Sequence, residues 1–210
     1  MSLHSFGSFC SVCLALVLTP QLASALFLLE PSVGYGTGTQ TKYTIAGVNY
    51  VFNRSSVPVG LRTGYMNPNG FGATLVAHYE LGGTLGGTTN SSGVGTSYSD
   101  TFTDVQAGAE LSFRTHLWRL FAGYAPLSNM TVTPNSKNSN SPSALSGSAV
   151  FGGLTVFFSP HIGLDVSYSA VTYSSVTPNG GGTSVAVGNS NYSNISDSKI
   201  FADVVFPFLF

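Results

Sequence analysis

The chain has 210 residues, of which 43% are hydrophobic and only 7% charged, with a formal net charge of −1 and 25 glycines. That length suits a single domain. The near-neutral charge gives no electrostatic case for nucleic acid, the hydrophobicity excludes a disordered chain, and the charged fraction falls far below the roughly 25% of an average soluble domain.

Residues 1–25 read as a cleaved secretory signal peptide. Residues 12–18 (VCLALVL) form a short apolar core, and Ala23-Ser24-Ala25 supplies the small-residue cleavage pattern. The segment departs from the usual form at its start, where only His4 and the α-amino group can carry positive charge. Both cysteines, Cys10 and Cys13, lie inside it. The expected mature domain, 26–210, therefore has no disulfide, thiolate nucleophile or cysteine metal site. No later apolar run approaches the roughly 18 residues of a membrane helix.

From residue 26 the chain alternates. Side chains on a strand point to opposite faces in turn. In 26–36, Leu29, Pro31, Val33 and Tyr35 share one face, with Glu30, Ser32 and Gly34 on the other. A polar connection follows, containing 43–52, which has strand character of its own. Residues 57–66 put Val57, Val59, Leu61 and Tyr65 opposite Arg62 and two glycines. Asn67-Pro68-Asn69-Gly70 is a turn by composition. Residues 71–81 put Phe71, Ala73, Leu75, Ala77, Tyr79 and Leu81 opposite His78 and Glu80. After a long Gly/Ser/Thr stretch, 102–113 place Val105, Leu111 and Phe113 opposite Asp104, Gln106 and Glu110. Residues 117–126 place Trp118, Leu120 and Tyr124 opposite Arg119 and Phe121. Residues 147–158 and 162–173 follow, the latter with Ile162, Leu164, Val166 and Tyr168 opposite Asp165. The last segment, 199–210 (KIFADVVFPFLF), puts Ile200, Val204, Phe206, Phe208 and Phe210 opposite Asp203 and Pro207.

The connections run long, short, long, short, long, short, long. Outer-membrane barrels have short periplasmic turns, longer outer loops and an even strand count. Eight strands satisfy that parity if 43–52 lies in the first outer loop, as a strand extension or hairpin above the membrane. All eight charges within strand interiors, Glu30, Arg62, Glu80, Asp104, Glu110, Arg119, Asp165 and Asp203, fall opposite the apolar face. Aromatics on the apolar face sit at strand ends. Tyr35, Tyr79, Tyr124 and Tyr168 lie toward the long loops; Tyr65, Phe71, Phe113, Trp118 and Phe158 lie toward the short turns. These match the two interfacial girdles of a membrane barrel. A soluble sandwich or lipocalin-like barrel would share the alternation but turn the apolar face inward; charge scarcity and the apolar C-terminus argue against it. The expected fold is an all-β, transmembrane, antiparallel up-and-down barrel of eight strands.

With these features the chain resembles the small eight-stranded outer-membrane β-barrels of Gram-negative bacteria, the OmpA-transmembrane-domain and OmpX-like group, over residues 26–210. The resemblance implies location in the cell outer membrane after Sec-type export, contact with outer-membrane lipids, and recognition of the C-terminal strand by the outer-membrane assembly machinery through Phe206, Phe208 and Phe210. Pro207 departs from that C-terminal signature and is expected to interrupt a ladder hydrogen bond.

An eight-stranded barrel has room inside only for side chains. Glu30, Arg62, Glu110, Arg119 and Asp165 count to similar depth near the short-turn end, which predicts a salt-bridged plug with Arg62 near Glu30 and Arg119 near Glu110. His78, beside Glu80 and across from Asp104, reads as lumen filling or as a proton-sensitive gate or metal site. The apolar face has no His and no acid, so no catalytic site and no enzymatic activity are expected, and no cofactor. The expected role is structural or surface-binding, with an extracellular partner at the loops; a narrow small-solute channel is the alternative, and a lipid-modifying enzyme a third reading.

Overall fold

A computed structural model describes residues 25–45, 48–90, 97–133, 142–178, 182–188 and 192–210. The signal-peptide expectation covers 1–25, of which 1–24 lie outside the described residues. Ten strands appear in order: β1 (Leu26–Ile45), β2 (Val48–Met66), β3 (Phe71–Asn90), β4 (Ser97–Arg114), β5 (Trp118–Thr133), β6 (Ala144–Ser159), β7 (Ile162–Thr177), β8 (Val185–Ala186), β9 (Tyr192–Val205) and β10 (Phe208–Leu209). Each long strand pairs antiparallel with the next, and β9 joins β7 to β1. β10 continues β9 along β1, with Leu29 opposite Phe208. The result is a closed eight-stave barrel, the eighth stave being β9 and β10 together.

The short turns are built by local side chains. The Asn67 carbonyl accepts from Gly70 N–H at 3.0 Å, the Asn67 side chain accepts from Phe71 N–H at 2.9 Å, and Gly70 takes φ +92°, a conformation glycine adopts without steric cost. Thr115 Oγ1 accepts from Trp118 N–H at 3.1 Å, and Ser159 Oγ from His161 N–H at 3.2 Å.

The other ends differ from expectation. The polar stretches are largely strand: β1 and β2 run as one hairpin to Ile45 and Val48, so that 43–45 and 48–52 extend the first strand pair, in line with the strand-extension or hairpin expected for 43–52. A strand of 20 residues spans about 66 Å at 3.3 Å per residue, while a tilted membrane strand needs only roughly 9–11 residues. About a third to a half of each stave therefore stands clear of the band marked by the outward aromatics. Beyond that band the outward side chains are polar and the apolar ones, such as Phe52, Leu85, Phe102 and Met130, turn inward, so the apolar face changes sides without the strand ending.

Alternation sorts the side chains as the parity requires. All eight acidic residues of the chain are buried: Glu30, Glu80, Asp100, Asp104, Glu110, Asp165, Asp197 and Asp203. The outer surface instead carries Leu75, Leu111, Val150, Phe158, Ile162, Val166, Ile200 and many other exposed apolar side chains. A soluble monomer rarely exposes a continuous apolar surface beyond a few hundred Å²; this barrel has its apolar face outside and its charges inside.

Candidate functional site

The lumen holds the chemistry, arranged in layers. At the short-turn end, Arg62 on β2 reaches three carboxylates: Glu30 Oε1 at 2.9 Å, Glu110 Oε2 at 3.0 Å and Asp165 Oδ2 at 2.9 Å. Arg119 on β5 donates through both terminal nitrogens to Glu30, at 2.8 and 2.6 Å, and to Thr155 Oγ1 at 3.0 Å. Thr155 in turn donates to Asp165 at 3.2 Å. The guanidinium of Arg62 lies 4.6 Å from the Phe121 ring centre, and that of Arg119 5.7 Å from both Phe121 and Phe157. Bidentate carboxylate contacts and ring faces satisfy a planar cation in a dry interior.

Arg62 thus meets Glu30, as its directly opposed register position on β1 requires. Arg119 does not take Glu110. Arg119 sits level with Arg114, while Glu110 is level with Gly123, four residues further along β5. Across this hairpin Glu110 stands four residues further from the turn than Arg119, so Arg119 crosses the lumen to Glu30 and leaves Glu110 to Arg62.

A second layer lies nearer the outer end. Arg54 donates to Glu80 at 2.6 Å, to Asp104 at 3.2 Å and to Asp197, with its guanidinium 4.1 Å over Phe102. Lys199 meets Glu80 at 2.9 Å and also Asp104. Glu80 and Asp104 are directly opposed on β3 and β4, and these two cations offset that like-charge pair. Sequence reasoning missed Arg54, Asp197 and Lys199. Arg54 and Asp197 lay in stretches read as loop, yet Phe52, Arg54, Ser56 and Pro58 all face inward in strict alternation, and Asp197, Lys199, Phe201 and Asp203 do the same. Continuing the parity past the apolar run would have found them.

Between the layers lies a cavity of about 30 Å³ lined in part by Arg62, His78, Gln106, Phe121 and Phe201, enough for about one or two waters. His78 Nε2 is 3.4 Å from Asp203 Oδ2, and its ring packs edge-on to Phe201. Ser32 approaches the same ring through the space left by Gly60. No group of three or more His, Cys, Asp or Glu able to hold a metal occurs among the described residues. Around and above the second layer the buried side chains are mostly apolar: Phe52, Leu85, Phe102, Met130, Val132, Leu145, Val171, Val176 and Ile195 form one cluster with Tyr173, and Asp100 is buried opposite Leu85.

The girdle residues lie on the outer surface. Tyr35, Tyr79, Tyr124 and Tyr168 are exposed, as are Tyr65, Phe71 and Phe158, while Phe113 and Trp118 are half-buried by neighbouring rings. Phe71 and Trp118 flank Phe113 at 4.9 and 5.7 Å, and Phe27 bridges Tyr65 and Phe210 at 5.8 and 6.4 Å. At the C-terminus Phe208 and Phe210 are exposed and Phe206 is half-buried. Pro207 faces inward, but it does not break the seam to β1. Phe206 N–H donates to Pro31 and Phe210 N–H to Phe27, both at 3.0 Å. Backbone groups alternate sides, so the missing donor of Pro207 points toward β7, whose pairing with β9 has already ended at Gly163 opposite Val205. A strand edge is where proline is tolerated.

No protein-family model matches the sequence, and no curated protein matches it. Solved structures match in shape. OprG, an outer membrane protein of Pseudomonas aeruginosa, aligns at TM-score 0.56 and 12% identity, over 88% of this chain and 97% of its own. Ail, the attachment invasion locus protein of Yersinia pestis, aligns at TM-score 0.52 and 15% identity, over 87% of this chain and 99% of its own, in a structure that contains the heparin analogue sucrose octasulfate. With its closed antiparallel wall, charged interior and apolar exterior, the chain has the fold of the small eight-stranded outer-membrane β-barrels.

Proposed function

We propose that this protein is an integral outer-membrane β-barrel with a side-chain-filled lumen, acting as a structural element or through a partner at its outer hairpins. The observation that carries the reading is the stacking of two ion-pair layers beneath an apolar cluster, which occupies the lumen from the short turns to the outer half. Insertion follows from the apolar outer face with its aromatic rows; export by a Sec-type signal and capture by the assembly machinery through Phe206, Phe208 and Phe210 belong to the same proposal. The sulfated ligand of Ail does not transfer by charge. Of seven Lys and Arg, four are buried in the lumen and Arg114 lies at the short-turn end, so at most two of the seven could serve an anionic ligand at the outer hairpins.

The reading includes no enzymatic activity. Ser32, His78 and Asp203 bring a hydroxyl, an imidazole and a carboxylate into one region, but the adjoining cavity of about 30 Å³ has no room for a lipid. Purified protein reconstituted in planar bilayers should give no conductance steps. Stable unitary steps would overturn the filled-lumen reading in favour of a narrow channel, and a mass change in lipid A on co-incubation would favour an enzyme.

A further inference from the structure

Just beyond the outward tyrosines the outer face of the wall changes from apolar to hydroxylated. On β4 the outward series runs Val105, Thr103, Thr101, and on β5 Leu127 gives way to Asn129, Thr131 and Thr133. Register lines these groups up across five staves. Thr37 opposes Ser55, Ser55 opposes Thr84, Thr84 opposes Thr101, and Thr101 opposes Thr133, with Thr103 opposite Thr131 one step nearer the apolar band. Neighbouring strands lie about 4.8 Å apart and alternate residues about 6.6 Å apart along a strand, so the hydroxyls form a lattice. Ser55 and Thr84 bond each other at 2.9 Å. A hydroxyl has one donor and two acceptor positions, which leaves capacity for a ligand. The belt resumes on the opposite side of the barrel, where Ser148 opposes Thr172 and Thr172 opposes Ser196.

The lattice carries no charge. Every Asp, Glu, Lys and Arg of β2 to β5 is buried in the lumen except Arg114, which lies at the short-turn end, and Lys42 stands five residues beyond Thr37 on β1. Behind the wall the balance is negative. Among the described residues eight buried carboxylates face four buried cations, Arg54, Arg62, Arg119 and Lys199, and Asp100 adjoins Thr101 directly. A phosphate on the outer face would therefore meet neither a cation to pair with nor a favourable field. The shape of the feature also selects its partner. A belt present on opposite sides of a barrel is met all round by lipid, whereas a protein partner would meet one side of it.

We propose that this hydroxyl belt binds the uncharged sugar headgroup of a glycolipid, in preference to phosphate-bearing lipids. The assignment rests on the membrane reading of the previous subsection and names the lipid that reading leaves open. Sugar hydroxyls donate and accept in equal measure, as the Thr and Ser side chains do. Tyr79 and Tyr124, exposed directly below the belt, offer an apolar ring and a polar tip at the junction of headgroup and acyl chain. The sugar is lipid-borne because the belt adjoins the apolar band: acyl chains held on that band keep the headgroup at the belt at high effective concentration.

The test uses the folded mature chain in micelles of a detergent without a sugar headgroup. Digalactosyl diacylglycerol, phosphatidylglycerol with the same acyl chains, and lipid A are added in equal amounts, and native mass spectrometry reads which lipid stays bound. The galactolipid should be retained at least about fivefold over each of the others. The triple variant Thr84→Val, Thr101→Val and Thr131→Val removes three outward hydroxyls while keeping the β-branched shape, and its preference should fall to within about twofold. Thr63→Val removes an outward hydroxyl from within the apolar band and should leave the preference intact. Equal retention of the three lipids, preference for either phosphate-bearing lipid, an unchanged preference in the triple variant, or displacement by a large excess of free methyl galactoside would overturn the proposal. The gel shift between unboiled and boiled samples reports separately on the barrel, and insertion into vesicles on the membrane reading, so a folded, inserted protein without the sugar preference refutes the headgroup assignment alone. Where the triple variant fails to fold, the selectivity of the unsubstituted protein still decides.

Discussion

At the scale of single residues, Arg62 anchors the short-turn layer of the lumen. Three carboxylates from three other strands depend on it, and removing one partner from a buried ionic cluster typically costs about 3–5 kcal/mol because the others keep their charge without compensation. Arg62→Met should lower unfolding free energy by about that amount, seen as a reduced urea midpoint in detergent. Arg114→Met offers the contrast. Arg114 is half-buried over Phe157, with its guanidinium 4.0 Å from the ring centre, and its loss should cost about 1 kcal/mol. Equal losses for the two would mean the inner layer is slack. Gly34 matters for a steric reason. A Cβ there would press on the Asp203 carboxylate and come within 2.6 Å of the Asp203 backbone. Gly34→Ala should therefore loosen the closing seam and lower the temperature at which the folded gel band is lost; an unchanged temperature would show that β9 can step back from β1 at little cost.

At the scale of the element, the last stave separates two effects. Pro207 lacks a donor on a side with no partner strand, so Pro207→Val should change stability by less than about 1 kcal/mol. Deleting Phe210 removes two backbone hydrogen bonds to Phe27 and the ring contact with it, together with the terminal aromatic proposed as the assembly tag. Its deletion should lower the amount of protein recovered in outer-membrane fractions; unchanged amounts would remove the tag role while leaving the barrel intact. The same stave shows what could be read in advance. Residues 199–210 alternate so strictly that inward Phe201, Asp203 and Val205 and outward Ile200, Val204 and Phe208 follow from position alone. The outer hairpins were illegible for the converse reason. There single inward residues such as Phe52, Leu85 and Met130 are spaced among Ser, Thr, Gly and Asn with no apolar outward partner, so the period of two is present but faint.

At the scale of the whole molecule, the barrel's polarity is its defining property. Its outward face is apolar through the band between the aromatic rows, so an outward cation near the middle of that band should be costly. Leu75, 66% exposed on β3, is such a position, and Leu75→Arg in lipid vesicles should destabilise the fold by about 2–4 kcal/mol. The same substitution costing under about 0.5 kcal/mol would place that face in water.

What the sequence determined by itself was parity. A strand repeats every two residues, so the one-dimensional order of apolar and charged side chains assigns each to a face, and the aromatic rows at both ends of the apolar face, with the scarcity of charge, point that face outward. Length alternation of the connections added the strand count and the orientation of the ends. Which charge meets which was decided only in three dimensions. Glu30, Arg62, Glu110, Arg119 and Asp165 lie on five different strands, and their encounters depend on tilt and register, which shift neighbouring levels by several residues. Hairpin register sets Arg119 four residues short of Glu110, so it crosses the lumen to Glu30, and closure of the wall brings Arg54 of β2 and Lys199 of β9 together on Glu80 and Asp104.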